Sequence, residues 1–167
     1  MFCVWAIILD NLCTQQGVIN LSPLVVDATG NELIYRVIEA AMAVHNQIGP
    51  GYKEEVYEKA LEVELNRLGI AVCRQFPVTV EYQGELVSLF YLDLFVEARV
   101  VVEVKAFSHQ LTNDELAQVI HYLKATGAPV GLLFNFGRRK LEYKRVFPGI
   151  SAQAPIGRIG RDNVLKK

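Results

Sequence analysis

From Asn31 to Ile48, apolar residues recur at Leu33, Ile34, Val37, Ile38, Ala41 and Val44. That three-and-four spacing predicts a helix with one buried face, and Gly49-Pro50-Gly51 ends it. Glu54 to Leu68 repeats the pattern, with Tyr57, Leu61, Leu65 and Leu68 on one stripe and Gly69 as its stop. The period then drops to two. Phe76 to Tyr82, where Pro77 suits an edge strand or a strand start, leads through a Gln83-Gly84 turn into a second strand, Leu86 to Val96. Val100 to Phe107 makes a third, so these three strands run as a meander. Thr112-Asn113-Asp114-Glu115 spells a capping box that opens a helix, with Leu116, Val119, Ile120 and Leu123 as its core face and Gly127 closing it. Pro129 to Phe136, nearly all apolar, suits a strand buried on both faces, and Leu141 to Phe147 alternates with charge as a last strand. The predicted order is α, α, β, β, β, α, β, β, an α/β fold.

One stretch of the meander breaks its own pattern. YLDLFVEARVVVEVKAF, Tyr91 to Phe107, places Asp93, Glu103 and Lys105 inside what reads as the middle of a sheet. Leu92, Leu94, Val96, Val100, Val102 and Val104 occupy even positions and predict one apolar face. The three charges are all odd and share the other face if the turn is centred on Ala98. In that register Asp93 stands opposite Glu103, with Cβ atoms about 4.5–5.5 Å apart. The turn Glu97-Ala98-Arg99 has no glycine, which leaves its geometry the weakest step of the inference. Tyr91, Phe95, Val101 and Phe107 also lie on the odd face, so the two carboxylates meet in partly apolar surroundings, where repulsion and burial both disfavour their charged forms. Lys105 supplies one positive charge against two negatives. A proton or a cation must supply the rest, and oxygen ligands of this kind suit Mg²⁺ or Mn²⁺.

Composition narrows the class. A chain of 167 residues, 51% hydrophobic and 21% charged, has the make-up of one globular domain with a core of its own. Cys3, Cys13 and Cys73 form no CxxC pair, which argues against a disulfide framework or a zinc knuckle and for a reducing, cytoplasmic setting. The apolar run Phe2 to Leu9 has no basic flank and stops at Asp10, far short of the roughly 20 residues that span a bilayer. Residues 1–28 are expected to be an N-terminal extension, 29–147 the domain, and 148–167 a flexible basic tail, with no membrane association. From Gly137 to Lys167, nine Lys/Arg residues face two acids, a balance of +7, whereas the preceding part carries −8. Arg138, Arg139 and Lys140 follow a strand directly and are the basic residues placed best to track phosphates.

The motifs resemble those of a known family. Asp93 followed by Glu103-Val104-Lys105 resembles the D…ExK signature of the PD-(D/E)xK nuclease superfamily. Gln118 and Tyr122, QVIHY on the next helix, resemble the QxxxY motif of its RecB-like branch. Gly51, Glu54 and Tyr57 in GYKEEVY resemble the GxxExxY pattern that names a family of small bacterial and archaeal proteins. The resemblance covers roughly Asn31 to Phe147, and three motifs in the right order make it specific. It departs from the pattern at Leu92, where the superfamily signature has proline, a position at which many members vary.

That resemblance implies a restriction-endonuclease-like αβββαβ core, a mixed central sheet flanked by helices. It implies Asp93, Glu103 and the Val104 carbonyl as ligands of Mg²⁺ or Mn²⁺, in a one-ion or a two-ion scheme. Lys105 would orient or deprotonate the attacking water, Glu54 would complete the outer shell, and Gln118 and Tyr122 would position the lysine, the ligands or a phosphate. The activity implied is phosphodiester hydrolysis in nucleic acid, DNA ahead of RNA, with Arg138, Arg139 and Lys140 as candidate contacts. A plainer reading stands beside each motif. Glu103 and Lys105 could be a strand ion pair, Tyr57 core packing, Glu54 a carboxylate favoured by the helix dipole, and Gln118 with Tyr122 a solvent-facing pair. His45 is expected to be structural and His121 to face solvent. The rival function is a catalytically silent nuclease-fold module that binds nucleic acid or protein.

Overall fold

The structure, a computed structural model, describes residues 31–148. The expected extension over 1–28, and all but the first residue of the expected tail, lie outside the described residues. Helices α1 (Asn31–Ile48) and α2 (Glu54–Arg67) come first, then strands β1 (Val72–Tyr82), β2 (Glu85–Val96) and β3 (Val100–Lys105). Helix α3 (Asn113–Thr126), β4 (Val130–Asn135) and β5 (Glu142–Val146) complete the order that periodicity predicts. The strands form one mixed sheet in sequence order, antiparallel except for β3 against β4.

Two cores flank the sheet. Val37, Ala41, Tyr57, Leu61 and Leu65 of α1 and α2 pack on Leu94, Val96, Val102, Val104 and Phe134. On the other face Val119, Tyr122 and Leu123 of α3 pack on Phe95, Val101 and Leu133. All of β4 is buried, as its unbroken apolar run requires. α3 begins as its capping box predicts: Thr112 Oγ1 accepts from the Asp114 N–H, and the Thr112 N–H donates to Glu115. Gly127, at φ +70°, ends it in the left-handed region that glycine enters without a Cβ clash.

The β2–β3 register is the expected one, with Leu94 paired to Val102, Phe95 to Val101 and Val96 to Val100. The three-residue loop lacks glycine yet takes positive φ at both Glu97 and Ala98, +50° each, as the two central residues of a mirror-image turn must, and the Arg99 N–H donates to the Val96 carbonyl at 3.0 Å. A local clamp holds it. The Ala71 N–H donates to Glu97 Oε1 at 2.8 Å, and the Glu97 N–H donates to the Ala71 carbonyl at 2.9 Å.

One sequence expectation fails. Leu92 does not share a face with Leu94; it packs in the α3-side core with Phe76 and Val78, while Leu94 packs under α1 and α2. The alternation inverts between them, and β1 inverts at the same level, since Cys73 and Phe76 both pack on the α3 side. Arg74 pairs with Leu94 and Phe76 with Leu92, so Gln75 and Asp93 face each other at the inversion. Gln75 has φ +53°. Because both strands turn over together, register survives, and a period-two count along one strand cannot detect the change. β1 also begins four residues before the predicted Phe76, because Arg74 and Gln75 interrupt its apolar pattern.

Candidate active site

The β2–β3 ladder stops after three pairs, whereas β3 stays paired with β4 as far as Lys105 against Asn135. β2 and β3 therefore part at Asp93, and the acidic residues gather at that fork. Asp93 Oδ2 accepts from the Val104 N–H at 2.7 Å, replacing the ladder bond that would have closed the gap. The N–H and C=O of one strand residue point to the same side, so the Val104 carbonyl also faces the fork.

Glu103, 2% exposed, accepts from Lys105 Nζ at 2.8 Å through Oε1. Its Oε2 is buried and has no hydrogen-bond partner among the described residues. From α2, Glu54 Oε1 accepts from the Ala106 N–H at 3.3 Å, next to Lys105. The odd-numbered charges thus gather at one fork, but not by the expected Asp93–Glu103 rung, which does not form; Asp93 arrives through the inversion and bonds the Val104 N–H instead.

The electrostatics follow from burial and crowding. Burial, then the Glu103 charge, pushes the Asp93 carboxyl up to about 7, against the pull of the Val104 N–H. Burial likewise raises Glu103, opposed by Lys105. Burial pulls Lys105 down, but Glu103, its hydrogen bond, Glu54 and Asp93 outweigh that pull and leave it above the usual ammonium value. Lys105 is accordingly protonated at neutral pH.

Gln118 and Tyr122 share a face of α3, and Gln118 Nε2 donates to the Tyr122 hydroxyl at 2.8 Å. Burial raises the Tyr122 phenol, the Gln118 bond opposes it, and the Glu103 and Asp93 charges add to the rise, which places the ring within the field of the fork. Tyr57 of the GxxExxY stretch is fully buried; its hydroxyl donates to the Gly49 carbonyl at 2.8 Å and accepts from the Tyr52 N–H. That tyrosine closes the turn that delivers Glu54, a packing role. Arg138, Arg139 and Lys140 lie between β4 and β5, where Arg138 pairs with Glu142 at 3.2 Å. With Ser108 and Gln110 they line a basic cleft of about 1130 Å³. A second hollow of about 510 Å³, lined by Tyr52, Glu54, Glu58 and Phe107, opens on the α2 side. His45 binds the Arg138 carbonyl at 2.8 Å and is structural, and His121 is exposed.

Three polar residues near the fork escaped the sequence reading. Glu58 is buried on α2, one turn beyond Glu54, accepts from Gln75 Nε2 at 2.8 Å, and its charge helps raise Asp93. The i, i+4 spacing from Glu54 was its signal. Gln75, in a strand of mixed polarity, gave none. Asn135 is fully buried and accepts from the Phe107 and Gly137 N–H groups while donating to the His109 carbonyl, so it fixes the loop after Lys105.

The fork fits a hard divalent ion. Glu103 Oε2 is a carboxyl oxygen shut away from water without a donor among the described residues, an arrangement that a cation would satisfy. No three His, Cys, Asp or Glu side chains among the described residues close a cluster that could hold an ion unaided. Two carboxylates plus a carbonyl is the sparse set expected of Mg²⁺, which keeps waters or substrate oxygens in its shell.

Compared with known proteins, residues 31–146 match the family model of the PD-(D/E)XK nuclease superfamily. The chain belongs to that superfamily. No curated protein and no solved structure matches it. The mixed five-stranded sheet with flanking helices is the restriction-endonuclease-like architecture of the superfamily. Superfamily membership suggests nuclease activity on nucleic acid, and PD-(D/E)XK nucleases typically use divalent metal ions. No helix among the described residues is long and apolar enough to cross a membrane.

Proposed function

We propose that this chain is a metal-dependent nuclease of the GxxExxY, RecB-like type that hydrolyses phosphodiester bonds, with DNA ahead of RNA as substrate. The observation that carries this reading is the stranded Glu103 Oε2 at a fork it shares with Asp93 and a protonated Lys105. Asp93, Glu103 and the Val104 carbonyl would hold Mg²⁺ or Mn²⁺. A bound ion of that kind supplies a polarised phosphoryl oxygen and a water of lowered pKa.

The remaining work belongs to the chain. Lys105, held by Glu103 at 2.8 Å, would orient or deprotonate the attacking water and steady phosphoryl charge. Glu103 anchors the ammonium at 2.8 Å and fixes its direction. Glu54 ties α2 to Ala106 and so holds the end of β3 in place. Gln118 and Tyr122 offer polar groups from the opposite helix for positioning. Arg138, Arg139 and Lys140 give the strand's phosphates a basic track beyond the fork.

The test is incubation of the purified protein with plasmid, single-stranded DNA and RNA in Mg²⁺ or Mn²⁺. Lys105→Ala is expected to keep metal binding and lose cleavage at least about 100-fold, the low end for a positioned catalytic group. Asp93→Asn should lose both. Salt-sensitive binding without cleavage by the wild type would select the silent module instead, and Lys105→Ala cutting at the wild-type rate would remove the lysine from the mechanism.

A further inference from the structure

Gln75 stands where the sheet turns over. It is a glutamine at φ +53°, outside a helix, hairpin loop or glycine turn. Bulky residues rarely hold such a conformation unless their surroundings enforce it. Here the surroundings are the fork. Gln75 faces Asp93 across the β1–β2 pair, between the rungs Arg74–Leu94 and Phe76–Leu92. Both strands exchange faces at this level, which brings Asp93 out of regular alternation and onto the Val104 N–H.

The side chain reaches the other way. Gln75 Nε2 donates to Glu58 Oε2 at 2.8 Å, and Arg74 Nη1 lies 3.7 Å from the same oxygen. Glu58, 7% exposed, is thereby pinned on α2 with its charge felt by both Asp93 and Glu103. One residue therefore does two things at once. Its backbone aims Asp93 and its amide fixes a further carboxylate behind it.

We infer that Gln75 is a positioning residue of the metal centre, acting on bound ion through Glu58 and through the twist that presents Asp93. The inference rests on the metal-centre reading above. Its α2 partner would hold part of the ion's outer shell, and outer-shell partners commonly carry about 10–100-fold in metal affinity.

Mn²⁺ binding, followed by loss of the free-ion signal in electron paramagnetic resonance, tests this without any substrate. Gln75→Gly tolerates the positive φ and removes the side chain with its amide, so its Tm should match or exceed wild type while its Kd for Mn²⁺ rises about 10-fold or more. Gln75→Asn, which also tolerates this φ but is too short to reach Glu58, should behave the same way. In a Glu58→Gln background, Gln75→Gly should add less than about 2-fold, because the route through Glu58 is already cut. Wild-type Mn²⁺ affinity in both Gln75 variants overturns the inference. So does an undiminished loss in the Glu58→Gln background, which would make Gln75 merely structural. Wild type binding Mn²⁺ no better than Asp93→Asn would instead sink the metal-centre reading, a result distinguishable from either.

Discussion

At the scale of single residues, the fork is a site where charge is concentrated and solvation is withdrawn. Asp93 pays for its position in acidity, since burial and Glu103 hold its carboxyl near neutrality at about 7. A carboxyl raised in the folded state binds its proton more tightly there than in the unfolded chain. Between its unfolded pKa of about 4 and the folded value, stability therefore falls as pH rises. The metal-free protein should gain Tm on acidification from pH 8 towards pH 5, and Asp93→Asn should flatten that slope in thermal melts. A saturating divalent ion should flatten it too, because cation and proton compete for the same oxygens. A melt profile with the opposite slope at Asp93-dependent pH values would contradict the buried, crowded carboxyl described here.

At the scale of elements, the hairpin between β2 and β3 decides whether the acidic groups meet. Its register is set by six even-numbered and odd-numbered apolar positions on two faces, and a slip of one residue would reverse them all. The turn achieves that register at a cost. Glu97 and Ala98 both sit at φ +50°, where a Cβ is unfavourable by roughly 1–2 kcal/mol per residue. Glu97 recovers some of this through its bonds with Ala71, whereas Ala98 is exposed. Ala98→Gly should consequently raise stability by up to about 1 kcal/mol, measured by urea unfolding, with metal affinity unchanged. Destabilisation would mean that the turn is not of the left-handed kind. The same element explains which part of the sequence reading succeeded. The pairing of Leu94, Phe95 and Val96 with Val102, Val101 and Val100 followed from alternation near the turn, whereas the expected Asp93–Glu103 rung does not form and Leu92 was misplaced, because both lie beyond the last rung.

At the scale of the molecule, the fork is held from outside the sheet. α2 brings Glu54 and Glu58, α3 brings Gln118 and Tyr122, and the segment from Asn135 to Lys140 brings Asn135 and the basic residues of the cleft. Gly137 is where this assembly is tightest, for a Cβ there would lie 2.5 Å from the Ala106 carbonyl carbon and the Phe107 oxygen, both backbone atoms. Gly137→Ala should therefore cost about 1–3 kcal/mol and also weaken divalent-ion binding, since Ala106 is bonded to Glu54 beside Lys105. Chemical unfolding and metal titration of that variant would check both effects. By itself the sequence determined the order of helices and strands, the capped start of α3, the buried β4 and the register of β2 against β3 next to their turn, because each depends on local periodicity or on residues close in the chain. Only the tertiary structure decided that Leu92 and Leu94 face opposite cores, that Gln75 and Glu58 stand behind Asp93, and that Asn135 ties the loop after Lys105. Those outcomes depend on partners such as Gln75 and Glu58, 17 residues apart, and Phe107 and Asn135, 28 apart, brought together by sheet twist and helix packing that no repeat along the chain encodes.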